Sequence, residues 1–434
     1  MTPAHPDATS APATTAPRGA AGAAPSLPAG FGRRADLLLA GTDADLARFL
    51  PGDSGTRQPV HTCYVSADLV TEGTPAEWGA TAASAAEEAG GLAALAELAG
   101  IDAAAAPDLV ARVREKLRTE PVEDLRLDLE DGYGERPDAE EDADAVRAAH
   151  TVAAFARNRA SGEAPAPAFA GIRFKCFEAA TRARGLRTLD LFLSTLVREG
   201  GLTEAGVSED GLPEGLVLTL PKVSAVEQVA VMVEACEAFE DALGLPAGRL
   251  RFEIQMETPA MILGSDGTCP IPAMLRAAEG RVSALHYGTY DYSASLGISG
   301  QFQSLEHPAA DHAKNVMQVA VAGTGVHLSD GSTNRLPVGD PAQRRETWAL
   351  HARLVRRSLE RGIYQGWDLH AHQLPRASSP TTRSTAGRST TPPAAWLPTP
   401  AGPFPASRRR TWRTSPPPPG PSPATWCAGY CAVR

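Results

Sequence analysis

Two carboxylates, Glu257 and Asp291, stand in the segments RFEIQMETPAMILG (251–264) and SALHYGTYDYSASLG (283–297). Each follows a short apolar run, Phe252–Met256 and Val282–Tyr287, that reads as a strand buried on both faces of a parallel sheet. Acids just past the C-terminal ends of such strands sit where α/β folds keep their chemistry. Two hard oxygen ligands with no His or Cys beside them suit Mg2+ or Mn2+ better than zinc. The plainer reading is helix capping, by Glu257 of a helix starting near Pro259 and by Asp291 of one starting near Tyr292.

Other chemistry-bearing residues fall at further strand ends. In LDLEDG (127–132), Asp128, Glu130 and Asp131 cannot all be core residues, because unpaired buried carboxylates are costly. One or two should face a binding mouth, accepting from an arginine or from a metal-bound water; the alternative is capping of the next helix. Arg173, in GIRFK, can grip a carboxylate with two parallel bonds or stabilise a developing oxyanion, or else form a structural ion pair with Glu130 or Asp131. Lys222, in LTLPKV, suits an electrostatic or hydrogen-bonding role beside the reacting groups, a Schiff base, or a purely structural one. His370, in GWDLHAHQ, can touch substrate or position a strand end. His327, Asp330 and Asn334, in GVHLSDGSTN, form a polar, turn-rich stretch expected at the mouth.

The wording of these blocks resembles one superfamily, that of citrate lyase β-subunits, malyl-CoA lyases and metal-dependent hydroxy-acid aldolases. The blocks are ETPAMIL followed by YGTYDYSASLG, then LDLEDG, the strand-end arginine of GIRF, LPKV and the LHAHQ near the last strand. They fall in the right order and span roughly residues 60–373. The chain departs from the pattern at Phe174-Lys175, where an Asn is usual, and at Ala371, where a Pro is usual. The resemblance implies a (β/α)8 TIM-type barrel in which Glu257 and Asp291 bind a catalytic Mg2+ or Mn2+. Arg173 would then serve catalysis and substrate binding, Glu130, Asp131 and Lys222 catalysis, and His370 substrate contact. The implied reaction is carbon–carbon lyase or aldolase chemistry on a 2-oxo or 3-hydroxy acid, either free or as its CoA thioester. The residues do not identify the general base; metal-bound water supported by Glu130 or Asp131 is one candidate. Alternatives are a malate-synthase-like Claisen condensation with thioester hydrolysis, a non-catalytic damaged paralogue, and a phosphoenolpyruvate-handling barrel. The resemblance also implies a homo-oligomer, trimer or hexamer, given an intact C-terminus.

The elements that must carry these residues alternate strand and helix. Strands are expected at His61–Ser66, Leu125–Leu129, Ala168–Phe174, Leu216–Leu220, the two runs above, and near Gln365–His370. Val326–Leu328 is either a strand or a loop. Helices are expected at Ala35–Phe49, Pro75–Gly100, Pro107–Leu117, Asp138–Arg157, Thr188–Arg198, Ala225–Leu243 and Asp340–Arg361. Such alternation means parallel pairing with right-handed crossovers, and no Gly-x-Gly-x-x-Gly follows an early strand to favour a dinucleotide site.

With 434 residues there is room for one barrel of about 250 residues plus extensions. The formal charge of −10 and the lack of basic clusters in the body argue against nucleic acid and anionic membrane as partners. Residues 1–30 are rich in Ala, Pro and Thr and lack a basic start and apolar core, so they read as a disordered leader; a cytoplasmic protein is expected. Cys63, Cys176, Cys236 and Cys269 lack ligand spacing and read as reduced thiols.

The last stretch, 374–434, differs from the rest. All 51 acidic residues precede it, whereas it holds eight of the 41 Lys and Arg and three of the six Trp. It reads either as a disordered basic Pro/Arg/Ser/Thr-rich tail or, the expectation adopted, as a segment out of frame from Gln373–Arg376 onward. The barrel would then lack its last helix and expose apolar surface on its first and last strands.

Overall fold

The computed structural model describes residues 26–377 except 54, 102, 103 and 105. Most of the expected leader and tail lie outside the described residues. Eight strands form one sheet: β1 His61–Ser66, β2 Asp124–Asp128, β3 Phe169–Arg173, β4 Leu218–Leu220, β5 Phe252–Met256, β6 Val282–Tyr287, β7 His327–Ser329 and β8 Gly366–Asp368. They neighbour one another in the order β7-β6-β5-β4-β3-β2-β1-β8, each pair parallel. A parallel bridge between Ser329 and Gln365 joins β7 to β8. The Asp330 N–H donates to Gln365 O at 2.8 Å and the Trp367 N–H to Gly331 O at 3.1 Å. The sheet closes, and the fold is a (β/α)8 TIM barrel.

β1, β5 and β6 have the expected bounds. β2 and β3 begin and end within a residue of expectation, and β4 is shorter because Leu216 makes an isolated bridge to Ala170. Val326–Leu328 resolves as strand. The first helix starts at Phe31 and not Ala35, and a helix absent from the sequence reading, Pro308–Val321, follows β6.

Period-two alternation sorts the strand side chains. Leu125, Leu127, Ile172, Leu218, Leu220, Phe252, Ile254 and Leu285 are wholly buried, as are Phe155, Phe192, Leu193, Leu196, Val229 and Met232 on the surrounding helices. The other strand face fills the lumen with polar groups. Arg126 donates to Glu253 at 2.9 and 2.8 Å and pairs with Asp124. Thr219 Oγ1 donates to Glu253 at 2.6 Å, and Tyr64 Oη reaches it at 3.3 Å. Trp367 Nε1 donates to His286 Nδ1 at 2.8 Å, which leaves the His286 proton on Nε2, 3.0 Å from Glu253. Buried charges persist here because each is paired and hydrogen-bonded.

The expected exposure of β1 and β8 is not found. Cys63, His61 and Asp368 are buried, and helices Thr74–Glu88, Gly91–Leu98 and Pro341–Glu360 stand on this side of the barrel. Trp348 of the last of these, fully buried, donates to His372 O at 2.7 Å. After β8 the described chain makes only a 3-10 turn, Ala371–Gln373, and the short helix Leu374–Ala377.

A cavity of about 1260 Å3 lies at the N-terminal end of the strands, beneath helix Phe31–Phe49, lined by residues that include Phe49, Phe169, Val282 and Val326. It contains none of the strand-end acids. Among the described residues no helix is long and apolar enough to cross a membrane.

Candidate active site

The C-terminal ends of β2 to β6 bring the expected residues together. Asp128 and Arg173 are register partners at the ends of β2 and β3. Arg173 Nε and Nη2 donate to the two Asp128 oxygens at 2.6 and 2.5 Å. Asp128 also accepts from the Glu130 N–H at 3.0 Å and the Gly132 N–H at 2.7 Å. A Cβ on residue 132 would lie 2.5 Å from the Asp128 carboxylate, so only glycine lets the loop close over it. The alternative of an ion pair of Arg173 with Glu130 or Asp131 holds, but only as long contacts. Asp128 is the direct partner, while Glu130 and Asp131 stand 3.9 Å from Nη1.

Arg173 lies with its guanidinium carbon 4.8 Å from the centre of the Tyr64 ring. Its Nη1 reaches Gln255 Oε1 at 3.4 Å. Gln255 is wholly buried, and its Nε2 has no partner among the described residues. An unpaired buried donor is costly, and this one lies beside the Arg173 guanidinium. Sequence reading missed it. The signal was the alternation Glu253, Gln255, Glu257, which aims three polar side chains inward from one strand. Lys175, which stands where an Asn is usual, instead ties down the neighbouring loop, donating to Leu129 O at 3.1 Å and Gly134 O at 3.3 Å.

Lys222 follows β4 with φ 50°, in the left-handed region that non-glycine residues rarely adopt. Its N–H donates to Glu257 Oε1 at 2.9 Å. Its ammonium donates to Glu130 Oε1 at 2.5 Å and to Asp131, and lies 3.9 Å from Asp291 Oδ2. Burial alone would lower its pKa, but Glu130 and Asp131 outweigh that and hold it above the ordinary lysine value. An ammonium held protonated is a poor Schiff-base nucleophile, which counts against that route.

Glu257 is 3% exposed. Burial, with the negative charges of Asp291 and Glu130, pushes its carboxyl up to about 8 despite Arg173 and Lys222. Burial and the adjoining Asp131 push Glu130 up to about 7. For Asp131, hydrogen bonds from Glu130 and Lys222 overcome burial and lower the carboxyl. A Cβ on residue 288 would stand 2.4 Å from Glu257 Cβ and Oε2, so Gly288 gives Glu257 its place.

Neither acid is a helix cap. The turn Pro259–Met261 has Thr258 at its N-cap with no side-chain cap bond, and Glu257 instead accepts from the Lys222 N–H. Asp291 lies within the first turn of helix Thr289–Ser295, whose N-cap is Gly288. Its side chain is half exposed.

The donor chemistry fits a hard divalent cation: oxygen ligands, with Glu257 and Glu130 raised first by burial and then by the neighbouring carboxylates. Among the described residues no three acids or histidines converge tightly enough to cage a metal. The protein would thus supply the Glu257–Asp291 pair, leaving the remaining positions to water and substrate, as suits Mg2+.

Among the described residues, the remaining expected ones make no contact with this group. His370, after β8, is half-buried and its Nδ1 accepts from the His372 N–H at 3.1 Å; burial lowers its pKa. His327 lines the cavity at the opposite, N-terminal end of the barrel. Asp330 is buried in an ion pair with Lys314 at 2.9 and 3.0 Å and also accepts from Ser358 at 2.5 Å, so it is a structural group and not a mouth residue. Asn334 does lie on the mouth side, its N–H donating to the Tyr290 hydroxyl.

Residues 39–381 match the sequence model of the family described as Domain of unknown function (DUF6986). No curated protein matches the chain. Among solved structures, a citrate lyase from Burkholderia xenovorans LB400 is 18% identical, over 75% of this chain and 79% of that one, with a TM-score of 0.46. A lead(II) complex of Haloferax volcanii malate synthase is 16% identical over 62% of this chain, with a TM-score of 0.45; the chain spans 66% of it. CitE from Mycobacterium tuberculosis, in complex with magnesium, acetoacetate and coenzyme A, is 17% identical over 74% of this chain and 80% of that one, with a TM-score of 0.39. The family match runs through all eight strands, from within the first helix to beyond β8, and the chain belongs to the DUF6986 family.

Proposed function

We propose that the barrel mouth is a Mg2+- or Mn2+-dependent site for making or breaking a carbon–carbon bond beside the carbonyl of a small oxo acid or a 3-hydroxy acid, free or as a CoA thioester. The observation that carries this reading is the buried Glu257 beside Asp291 at the ends of adjacent strands, within reach of Arg173 and Lys222.

Glu257 and Asp291 would hold the ion, which when bound supplies Lewis acidity and a template for the substrate's carboxylate and carbonyl oxygens. Arg173 is fixed through Nε and Nη2 by Asp128, while Nη1 has only long contacts of 3.4 to 3.9 Å. That leaves Nη1, with the Gln255 amide, to receive oxygen charge as it develops. In the cleavage direction a base takes the hydroxyl proton, the bond between the carbinol carbon and the carbon next to the carbonyl breaks, and its electron pair passes to an enolate. The carbinol becomes an aldehyde or ketone, and the enolate takes a proton at carbon. Glu130, poised near neutrality at about 7, suits one of these proton transfers.

The test is an assay of the purified protein with Mg2+ against glyoxylate, pyruvate and oxaloacetate, each with and without acyl-CoA partners. Turnover should vanish with chelator and fall at least about a hundredfold in a Glu257→Ala/Asp291→Ala double variant. Full activity in that variant would sink the reading. Release of free CoA from acetyl-CoA and glyoxylate would assign the condensing, hydrolysing reaction in place of reversible cleavage.

A further inference from the structure

We infer that Lys222 is a built-in cation that competes with the divalent ion for the acidic mouth and so weakens its binding. This rests on the metal reading of Glu257 and Asp291. Four carboxylates, Glu130, Asp131, Glu257 and Asp291, surround the mouth, and Arg173 is already committed to Asp128. Lys222 touches both halves of the set. Its main chain, held in the left-handed region, donates to Glu257, while its ammonium binds Glu130 and Asp131 and stands 3.9 Å from Asp291.

The ammonium has two effects on an incoming divalent ion. It stands 3.9 Å from Asp291, one of the two expected ligands, so a cation bound to that carboxylate would be brought close to a like charge and repelled. It also engages one oxygen each of Glu130 and Asp131, which leaves Glu257 and Asp291 as the two acids not bonded to the ammonium. Among the described residues no three carboxylates converge as a metal cage. Weak protein ligation has a use here. An ion held by two carboxylates keeps positions for a chelating oxo acid, so metal and substrate bind cooperatively.

The experiment is calorimetric titration of Mg2+ into the wild-type protein, Lys222→Met, Lys222→Gln and Lys222→Arg, with Glu257→Ala/Asp291→Ala as reference. Bound Mn2+ is examined in parallel by electron paramagnetic resonance for its water count. Expected are Mg2+ affinities at least about tenfold tighter in Lys222→Met and Lys222→Gln, fewer waters on Mn2+, and little change in Lys222→Arg, which keeps the charge. Lys222→Gln serves if the Met variant does not fold. Binding by the neutral variants but not by the wild type would support competition still more strongly. Wild-type binding that disappears in the double variant, with no tightening in either neutral variant, overturns this inference and leaves the metal reading standing. No saturable binding in any protein, or equal binding in the double variant, overturns both.

Discussion

Arg173 and Asp128 depend on each other more than either does on the rest of the mouth. Arg173→Gln would leave Asp128 buried without its counter-charge, and breaking a buried pair from one side costs about 3–5 kcal/mol. Denaturant unfolding should show that loss, and turnover should fall in any fraction that still folds; Asp128→Asn/Arg173→Gln should recover part of the stability without the activity. Gly288→Ala makes a different prediction. Its methyl group would drive into Glu257, so Mg2+ affinity should fall even where the variant's melting temperature is close to wild type. Residue types at strand ends made Glu257, Asp291, Arg173, Lys222, Glu130 and Asp131 legible as one group, because each follows an apolar run. Gln255 was hidden inside such a run, and the partner of Arg173 could be found only from the register of β2 against β3. His327 was misplaced because a strand has two ends, and sequence alone did not say which end it occupied.

At the scale of elements, strands were easier to read than the helix that locks β7. Pro308–Val321 draws its buried face from two alanines, Ala310 and Ala313, and a lysine, Lys314, beside Met317 and Val321, which give little apolar contrast to read. Its buried Lys314 nonetheless holds Asp330, at the end of β7, while its ammonium also donates to Leu305 O at 2.7 Å and lies over the face of Tyr287. Lys314→Met strands Asp330 and should destabilise the protein by about 3–5 kcal/mol in denaturant unfolding. Mg2+ affinity of the folded variant should hardly change, since neither residue faces the mouth. The expected exposure of β1 and β8 failed for a similar reason. Coverage there comes from helices that follow β1 and β7, a tertiary arrangement with no local signature.

For the whole molecule, the strand–helix alternation was enough to read the barrel, whereas the polar lumen was not foreseen, since its ladder of Asp124, Arg126 and Glu253 forms only on closure. The mouth acids also set how stability depends on pH. Glu257 and Glu130 titrate at about 8 and about 7 in the folded protein, against 4.5 when unperturbed. Between these values the native state holds protons that the unfolded chain has released. Their contribution is therefore greatest at the acidic end, below the unfolded value, and is lost as pH rises through 7 to 8. The metal-free protein should melt at a lower temperature at pH 8.5 than at pH 6, and added Mg2+ should raise the melting temperature more at pH 8.5, where the ligands are ionised.

The most direct test of the account is a Mg2+ titration, followed by calorimetry at pH 8, of the wild-type protein and the Glu257→Ala/Asp291→Ala variant side by side. The account predicts one saturable site per chain in the wild type and none in the variant. Binding of equal strength in both would contradict it and place any metal chemistry elsewhere in the molecule.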